Sequence, residues 1–218
     1  VTMPPRLVLF DCDGVLVDTE TIANRRLVEL FNEAGFATDY AYCRCHFSGR
    51  SLTSVQEEIE ASGVRLGADF VDRWNEGLPA LFADQVEPIP HVRQAVEAVR
   101  DAGIAYCVAT SARISKMHIT LGATGLLPLF EHALFSATMV ARGKPAPDLF
   151  LHAAAAMGHP PEAAIVVEDS VPGTRAGKAA GMTVLSYAGD PMADRDGLRE
   201  AGGILFDDMR DLPALIGL

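Results

Sequence analysis

Residues 7–20 read Leu7-Val8-Leu9-Phe10-Asp11-Cys12-Asp13-Gly14-Val15-Leu16-Val17-Asp18-Thr19-Glu20. An unbroken apolar run that stops on an aspartate predicts a short strand buried on both faces, the kind found in parallel sheets. Similar runs return five times. Residues 104–109 end at Thr110, 133–135 at Ser136, 165–167 at Glu168-Asp169 and 204–206 at Asp207-Asp208, with 183–187 between the last two. Helical patterns separate most of them. Residues 90–102 carry Val92, Ala95, Val96 and Val99 on one face, and 148–157 open on Asp148 as an N-cap and stop at Gly158. Residues 170–180 hold Pro172 in the first turn and Gly181 just past the end. Strands alternating with helices predict an α/β unit built on a parallel sheet.

The alternation fails once. No strand is predicted between Asp18 and about Asp84. Residues 21–34 form an amphipathic pattern with Ala23, Leu27, Leu30, Phe31 and Ala34 on one stripe, and Gly35 ends it. Helices are also predicted over 40–47, 52–61 and 68–82, and residues 85–90, with two prolines, read as a return linker. The expected organisation is an α/β core of residues 1–17 and 87–218, interrupted by a helical module of residues 18–86.

Composition narrows the function. The chain has 218 residues, 18 basic and 29 acidic, for a net charge of −11; 49% are hydrophobic and 22% charged. That balance suits a folded protein with a sizeable core. It argues against nucleic-acid binding, which needs clustered positive charge, but allows a small anionic substrate. No apolar stretch reaches membrane-spanning length, and acidic residues from Asp11 onward do not fit a signal peptide. The four cysteines make no disulfide framework: Cys43 and Cys45 are too close to pair ordinarily, and Cys12 and Cys107 sit in apolar runs. A reducing, cytoplasmic setting is expected. Cys43-x-Cys45-His46 lacks a second ligand pair at zinc-finger spacing, and His46, His118 and His152 fall at no metal-ligand spacing.

In open parallel sheets ligands bind at the carboxyl ends of the strands. The polar residues gather there: Asp11 and Asp13 after the first run, Thr110 and Ser111 after the second, Glu168 and Asp169 after a later one. Lys144 lies in the loop Gly143-Lys144-Pro145. Singly, each has an ordinary reading as a turn, a helix cap or a surface charge. Together they would crowd four carboxylates. Two unit charges 4 Å apart repel by about 4 kcal/mol at an effective dielectric of 20, so such a cluster needs a cation or shifted pKa values. Hard oxygen ligands favour Mg²⁺. Lys144 adds a fixed positive charge, Thr110 a hydroxyl, and backbone N–H groups after Asp11 and Thr110 an anion cradle. An anion beside a metal and a carboxylate suggests phosphoryl transfer.

These residues resemble the four motifs of the haloacid dehalogenase-like hydrolases: Asp11-Cys12-Asp13 with Asp18 and Thr19 following, the strand ending at Thr110, Lys144 before Pro145, and the acidic pair Glu168-Asp169. The order is right and the resemblance spans essentially the whole chain. It implies a Rossmann-like parallel sheet core with an inserted α-helical cap, as in the subgroup that includes phosphoglycolate phosphatase and β-phosphoglucomutase. The layout looks most like the subgroup's sugar-phosphate phosphatases, such as the 6-phosphogluconate phosphatases.

The resemblance implies that Asp11 attacks phosphorus and that Asp13 protonates the leaving oxygen, then activates water. Mg²⁺ would be held by the Asp11 carboxylate, the Asp13 carbonyl and Asp169, with Glu168 a further or water-mediated ligand. Thr110 and Lys144 would hold the phosphoryl oxygens. Asp13 disfavours dehalogenation. Lys116, Lys144 and Lys178 are the three lysines, and none falls in the cap, which excludes a Schiff-base hydrolase. Ala23 stands where the mutases carry a cap histidine, so water is the favoured acceptor. A phosphosugar mutase and, behind it, a catalytically silent binding protein are the alternatives. Substrate contacts are expected from Ser111, from Arg50 in the cap loop 47–51 and from Arg113 on the core side, with Arg73-Trp74-Asn75 a second cap candidate. The expected partner is a small anionic phosphorylated metabolite.

Overall fold

The computed structural model describes residues 5–47 and 52–218. They fall into two units: residues up to Asp18 together with Glu87–Leu218, and Thr19–Val86.

The first unit opens with strand β1 (Leu7–Phe10) and the two-residue β2 (Val17–Asp18). Helices α1 (Glu20–Glu33), α2 (Tyr40–Phe47), α3 (Leu52–Ala61) and α4 (Phe70–Gln85) make the second unit. The chain returns through β3 (Glu87–Pro88), α5 (Val92–Asp101), β4 (Ala105–Thr110), α6 (Ile114–Ala123), α7 (Leu127–Phe130) and β5 (Leu134–Ser136). It ends with α8 (Asp148–Ala156), β6 (Ala164–Glu168), α9 (Val171–Ala179), β7 (Thr183–Tyr187), α10 (Arg195–Glu200), β8 (Ile204–Phe206) and α11 (Leu212–Leu215).

Six strands form one parallel sheet in the order β5-β4-β1-β6-β7-β8. The chain works outward from β1 to β5, then returns to place β6 on the other side of β1. The gap between β1 and β6 is therefore the topological switch point, where parallel sheets of this order bind ligands. All four β1 residues are fully buried. Leu9 lies opposite Cys107 on one side and Val166 on the other. On one face Leu7, Leu9, Ala109 and Val166 pack with Phe150, Ala153 and Ala176 from α8 and α9. Phe10 meets Phe130 edge-on, with ring centroids 6.0 Å apart. Burying such side chains is worth roughly 1.5–3 kcal/mol each, more than the ~1–2 kcal/mol needed to order one residue's backbone, so the apolar run settles as the central strand.

In the helical unit, Phe31 is fully buried, stacks on Phe70 at 6.0 Å and meets Phe47 edge-on at 5.5 Å. Cys43, Val55, Ile59 and Trp74 complete that core. Arg44, almost buried, donates to Glu20 at 2.8 Å. Cys43 is buried whereas Cys45 is exposed, because residues two apart on a helix do not share a face.

Three local expectations change. Asp148 is the first helical residue of α8, not its N-cap; its carboxylate accepts two hydrogen bonds from Arg142, at 3.0 and 2.7 Å, and Pro147 occupies the cap position with helical dihedrals. The short antiparallel pair β2–β3 joins Val17 to Pro88 and Asp18 to Glu87, where two-residue strands are too brief to show a period. Helix α4 starts two residues later than expected and runs on to Gln85, through Pro79. All four cysteines are free thiols. No helix among the described residues is long and apolar enough to cross a membrane.

Candidate active site

Asp11 follows β1 at the switch point, its amide donating to the Val167 carbonyl of β6 at 2.9 Å. Lys144, from the loop before α8, reaches into the same place. Its Nζ donates to Asp11 Oδ1 at 2.7 Å and to Glu168 Oε1 at 2.6 Å. All three side chains are buried. The ammonium also lies 4.9 Å from the centre of the Phe150 ring.

Glu168 is held from its other oxygen as well. Oε2 accepts from the Asp169 and Ser170 amides and the Ser170 hydroxyl at 2.7–2.9 Å. Ser170 Oγ in turn accepts from the Gly173 amide at 3.1 Å, capping α9. Gly173 is glycine for a steric reason, since a Cβ there would overlap the Glu168 carboxylate.

Asp11, Glu168 and Asp169 each bring a carboxylate oxygen within 4.8 Å of the others. With Lys144 counted, the group carries two surplus negative charges when ionised, and its donors are hard oxygens, so a divalent cation of the Mg²⁺ or Ca²⁺ type fits the set. Gly14, with φ at +79°, turns the chain so tightly that a Cβ would overlap Asp169 Oδ2. Burial, and then the Glu168 and Asp13 carboxylates, push the Asp11 carboxyl up to about 6 against the pull of Lys144. Burial disfavours the Lys144 charge, but Asp11 and Glu168 outweigh it and hold the ammonium above its usual range.

Asp13 lies beyond the end of β1, in a turn closed by Gly14 N to Val17 O at 2.9 Å and by Leu16 and Val17 amides on the Cys12 carbonyl. The alternation of a strand stops at Phe10 and does not carry to Asp13. Its carboxylate is bound by Lys116 of α6, whose Nζ stands 2.9 Å from each oxygen. Sequence reading missed Lys116 in this role; its only signal was being one of three lysines, in the first turn of the helix after Thr110. Cys12, between the two aspartates, turns inward with Sγ 4.0 Å from Thr120 Oγ1. Burial first, and then Asp13 and Asp11, keep it a thiol.

Thr110 ends β4, buried, its hydroxyl accepting from the Ala112 amide at 3.3 Å. Ser111 and Arg113 are exposed on the following loop, and among the described residues neither is hydrogen-bonded to the acidic group. Arg50 and residues 48–51 lie outside the described residues. Arg73, half-exposed, pairs with Asp69 at 3.2 Å and donates to the Leu66 carbonyl, and Trp74 lies in the helical core.

The family model for haloacid dehalogenase-like hydrolases matches residues 5–181, and the chain belongs to that family. It is 33% identical over 186 residues to the 6-phosphogluconate phosphatase of Escherichia coli K12, covering 84% of this chain and 83% of that one. The crystal structure of a family hydrolase from Deinococcus radiodurans R1, with bound phosphate and sodium, superposes with a TM-score of 0.90 at 28% identity, covering 99% and 96% of the two chains. A haloacid dehalogenase-like protein of unknown function from Agrobacterium tumefaciens gives 0.87 at 32% identity over 97% of each chain. Family and relatives together make the chain a phosphoric monoester hydrolase.

Proposed function

We propose that the protein is a Mg²⁺-dependent phosphatase of small phosphorylated metabolites, sugar phosphates or sugar-acid phosphates, acting through an aspartyl phosphate on Asp11. The observation that carries this reading is Lys144 clamped between Asp11 and Glu168, beside Asp169, at the switch point of the sheet. The phosphatase name of the Escherichia coli relative and the phosphate in the Deinococcus structure support it.

Asp11 attacks phosphorus as the ester P–O bond breaks. Asp13 gives a proton to the departing oxygen. Asp13 then takes a proton from the water that attacks the aspartyl phosphate, releasing inorganic phosphate and restoring Asp11. Lys144 and the Thr110 hydroxyl hold the phosphoryl oxygens, and the Lys144 charge offsets that of Asp11 as the phosphate dianion approaches. Asp11, Asp169 and the Asp13 carbonyl would hold Mg²⁺, which supplies positive charge for the phosphoryl oxygens when bound. Glu168, already engaged by Lys144, two amides and Ser170, holds Lys144 in place more than it offers a ligand oxygen. We assign residues 1–18 and 87–218 to the catalytic core and residues 19–86 to the substrate-selecting cap.

The test is a panel of phosphorylated metabolites with Mg²⁺ or with chelator, run on wild type and Asp11→Asn. Mg²⁺-dependent phosphate release that vanishes in Asp11→Asn, with phosphate analogues still bound, is the expected result. Hydrolysis of p-nitrophenyl phosphate by Asp11→Asn at the wild-type rate would remove the nucleophile.

A further inference from the structure

Asp13 and Asp11 are held by different lysines. Lys144 is sealed between Asp11 and Glu168, whereas Lys116 reaches Asp13 from α6 with its side chain 35% exposed. The backbone at Asp13 is already fixed by the 12–17 turn and by its bridge to Val17. The freedom left is the two side-chain torsions of Asp13. The Lys116 ammonium, 2.9 Å from both oxygens, restrains those torsions.

Helix α6 is built to deliver that ammonium. Thr120, one turn after Lys116, is fully buried, donates its hydroxyl proton to the Lys116 carbonyl at 3.1 Å and stands 4.0 Å from Cys12 Sγ. Met117 beside it is fully buried. The helix is thus packed against the middle residue of Asp11-Cys12-Asp13. The Lys116 charge also opposes the repulsion between the neighbouring Asp11 and Asp13 carboxylates.

We propose that Lys116 is a positioning residue: it aims the Asp13 carboxyl group at the leaving-group oxygen. The inference rests on the acid/base role of Asp13 given above. It has a consequence that mere structural support lacks. A general acid matters most when the leaving oxygen is strongly basic, as in an alkyl phosphate, and little when it leaves readily, as p-nitrophenolate does.

The experiment compares kcat/KM for a sugar phosphate found active in the panel and for p-nitrophenyl phosphate in wild type, Asp13→Asn, Lys116→Met, Lys116→Arg and the Asp13→Asn/Lys116→Met double variant. Asp13→Asn is expected to lose about 10²–10⁴-fold on the alkyl ester and far less on the aryl ester. Lys116→Met is expected to show the same selectivity with a smaller alkyl loss, on the order of tenfold to a hundredfold. Lys116→Arg recovers part of it through its two-pronged pairing with carboxylate. The double variant loses no more than Asp13→Asn alone, as expected when one residue acts through the other. Lys116→Gln gives the same comparison should the methionine variant not fold. Equal losses on both substrates, or none, in the Lys116 variants overturn the positioning role while Asp13→Asn stays selective. An unselective Asp13→Asn removes the acid/base assignment itself, and the positioning role with it.

Discussion

Lys144 and Glu168 meet at 2.6 Å with side chains only 5% and 1% exposed, so each depends on the other for charge compensation. The loop holding Lys144 and the end of β6 are fastened by that contact, and Asp11 is drawn into it. Removing the ammonium strands two carboxylates in a dry site. Lys144→Met is expected to cost about 3–5 kcal/mol, the range for breaking one side of a buried ion pair. At ~2–4 °C per kcal/mol for a chain of this size, the midpoint of thermal unfolding falls by roughly 6–20 °C. A metal-free variant that melts within about 3 °C of wild type would contradict this account.

Gly173→Ala tests the packing behind Glu168. At an open helical site such as Gly122, where an added Cβ meets nothing within 4 Å, alanine is expected to stabilise by about 0.4–1 kcal/mol. At Gly173 the Cβ overlaps a carboxylate that Lys144, Ser170 and two amides hold still. A loss of about 1–3 kcal/mol is expected instead, with a fall in kcat as Lys144 is displaced. Denaturant titration of the two variants side by side checks the opposite signs.

Ser170 has two tasks, capping α9 and donating to Glu168. Ser170→Ala is expected to lose about 1–2 kcal/mol. Faster hydrogen exchange at the Gly173 amide, with amides at the far end of α9 little changed, would locate the loss at the cap. Unaltered exchange at Gly173 would show that the cap is dispensable.

The raised Asp11 carboxyl, at about 6, sets a pH dependence for metal binding. A proton and a cation compete for that carboxylate. Mg²⁺ affinity is therefore expected to fall on acidification through pH 6, approaching tenfold per unit below it, and to level off above. Stability has the opposite sign in the metal-free protein. A carboxyl raised from 3.8 to about 6 on folding adds stability that is fully present below pH 3.8 and is lost as pH rises through 6. Thermal melts from pH 5 to 8 with and without Mg²⁺ check both signs, since the metal-induced rise should be larger at pH 7.5 than at pH 5.

The amino-acid sequence by itself determined the six strands of the parallel sheet and the polar residue at the end of five of them. A run such as Leu7 to Phe10 needs burial on both faces wherever it lies, and the helices between such runs leave few arrangements but a parallel sheet. Asp11, Asp13, Glu168, Asp169 and Lys144 were legible as candidates because each stands at a break in a local pattern. The tertiary structure alone decided how they pair. Asp11 and Lys144 are 133 positions apart, and Asp13 and Lys116 are 103 apart; strand order and helix packing bring them together. Apolar periodicity is written in neighbouring residues. An ion pair depends on a few tenths of an ångström between groups the chain brings together only when it has folded, so Lys116 carried no mark of its pairing with Asp13, nor Glu168 of its contacts with Lys144 and Ser170.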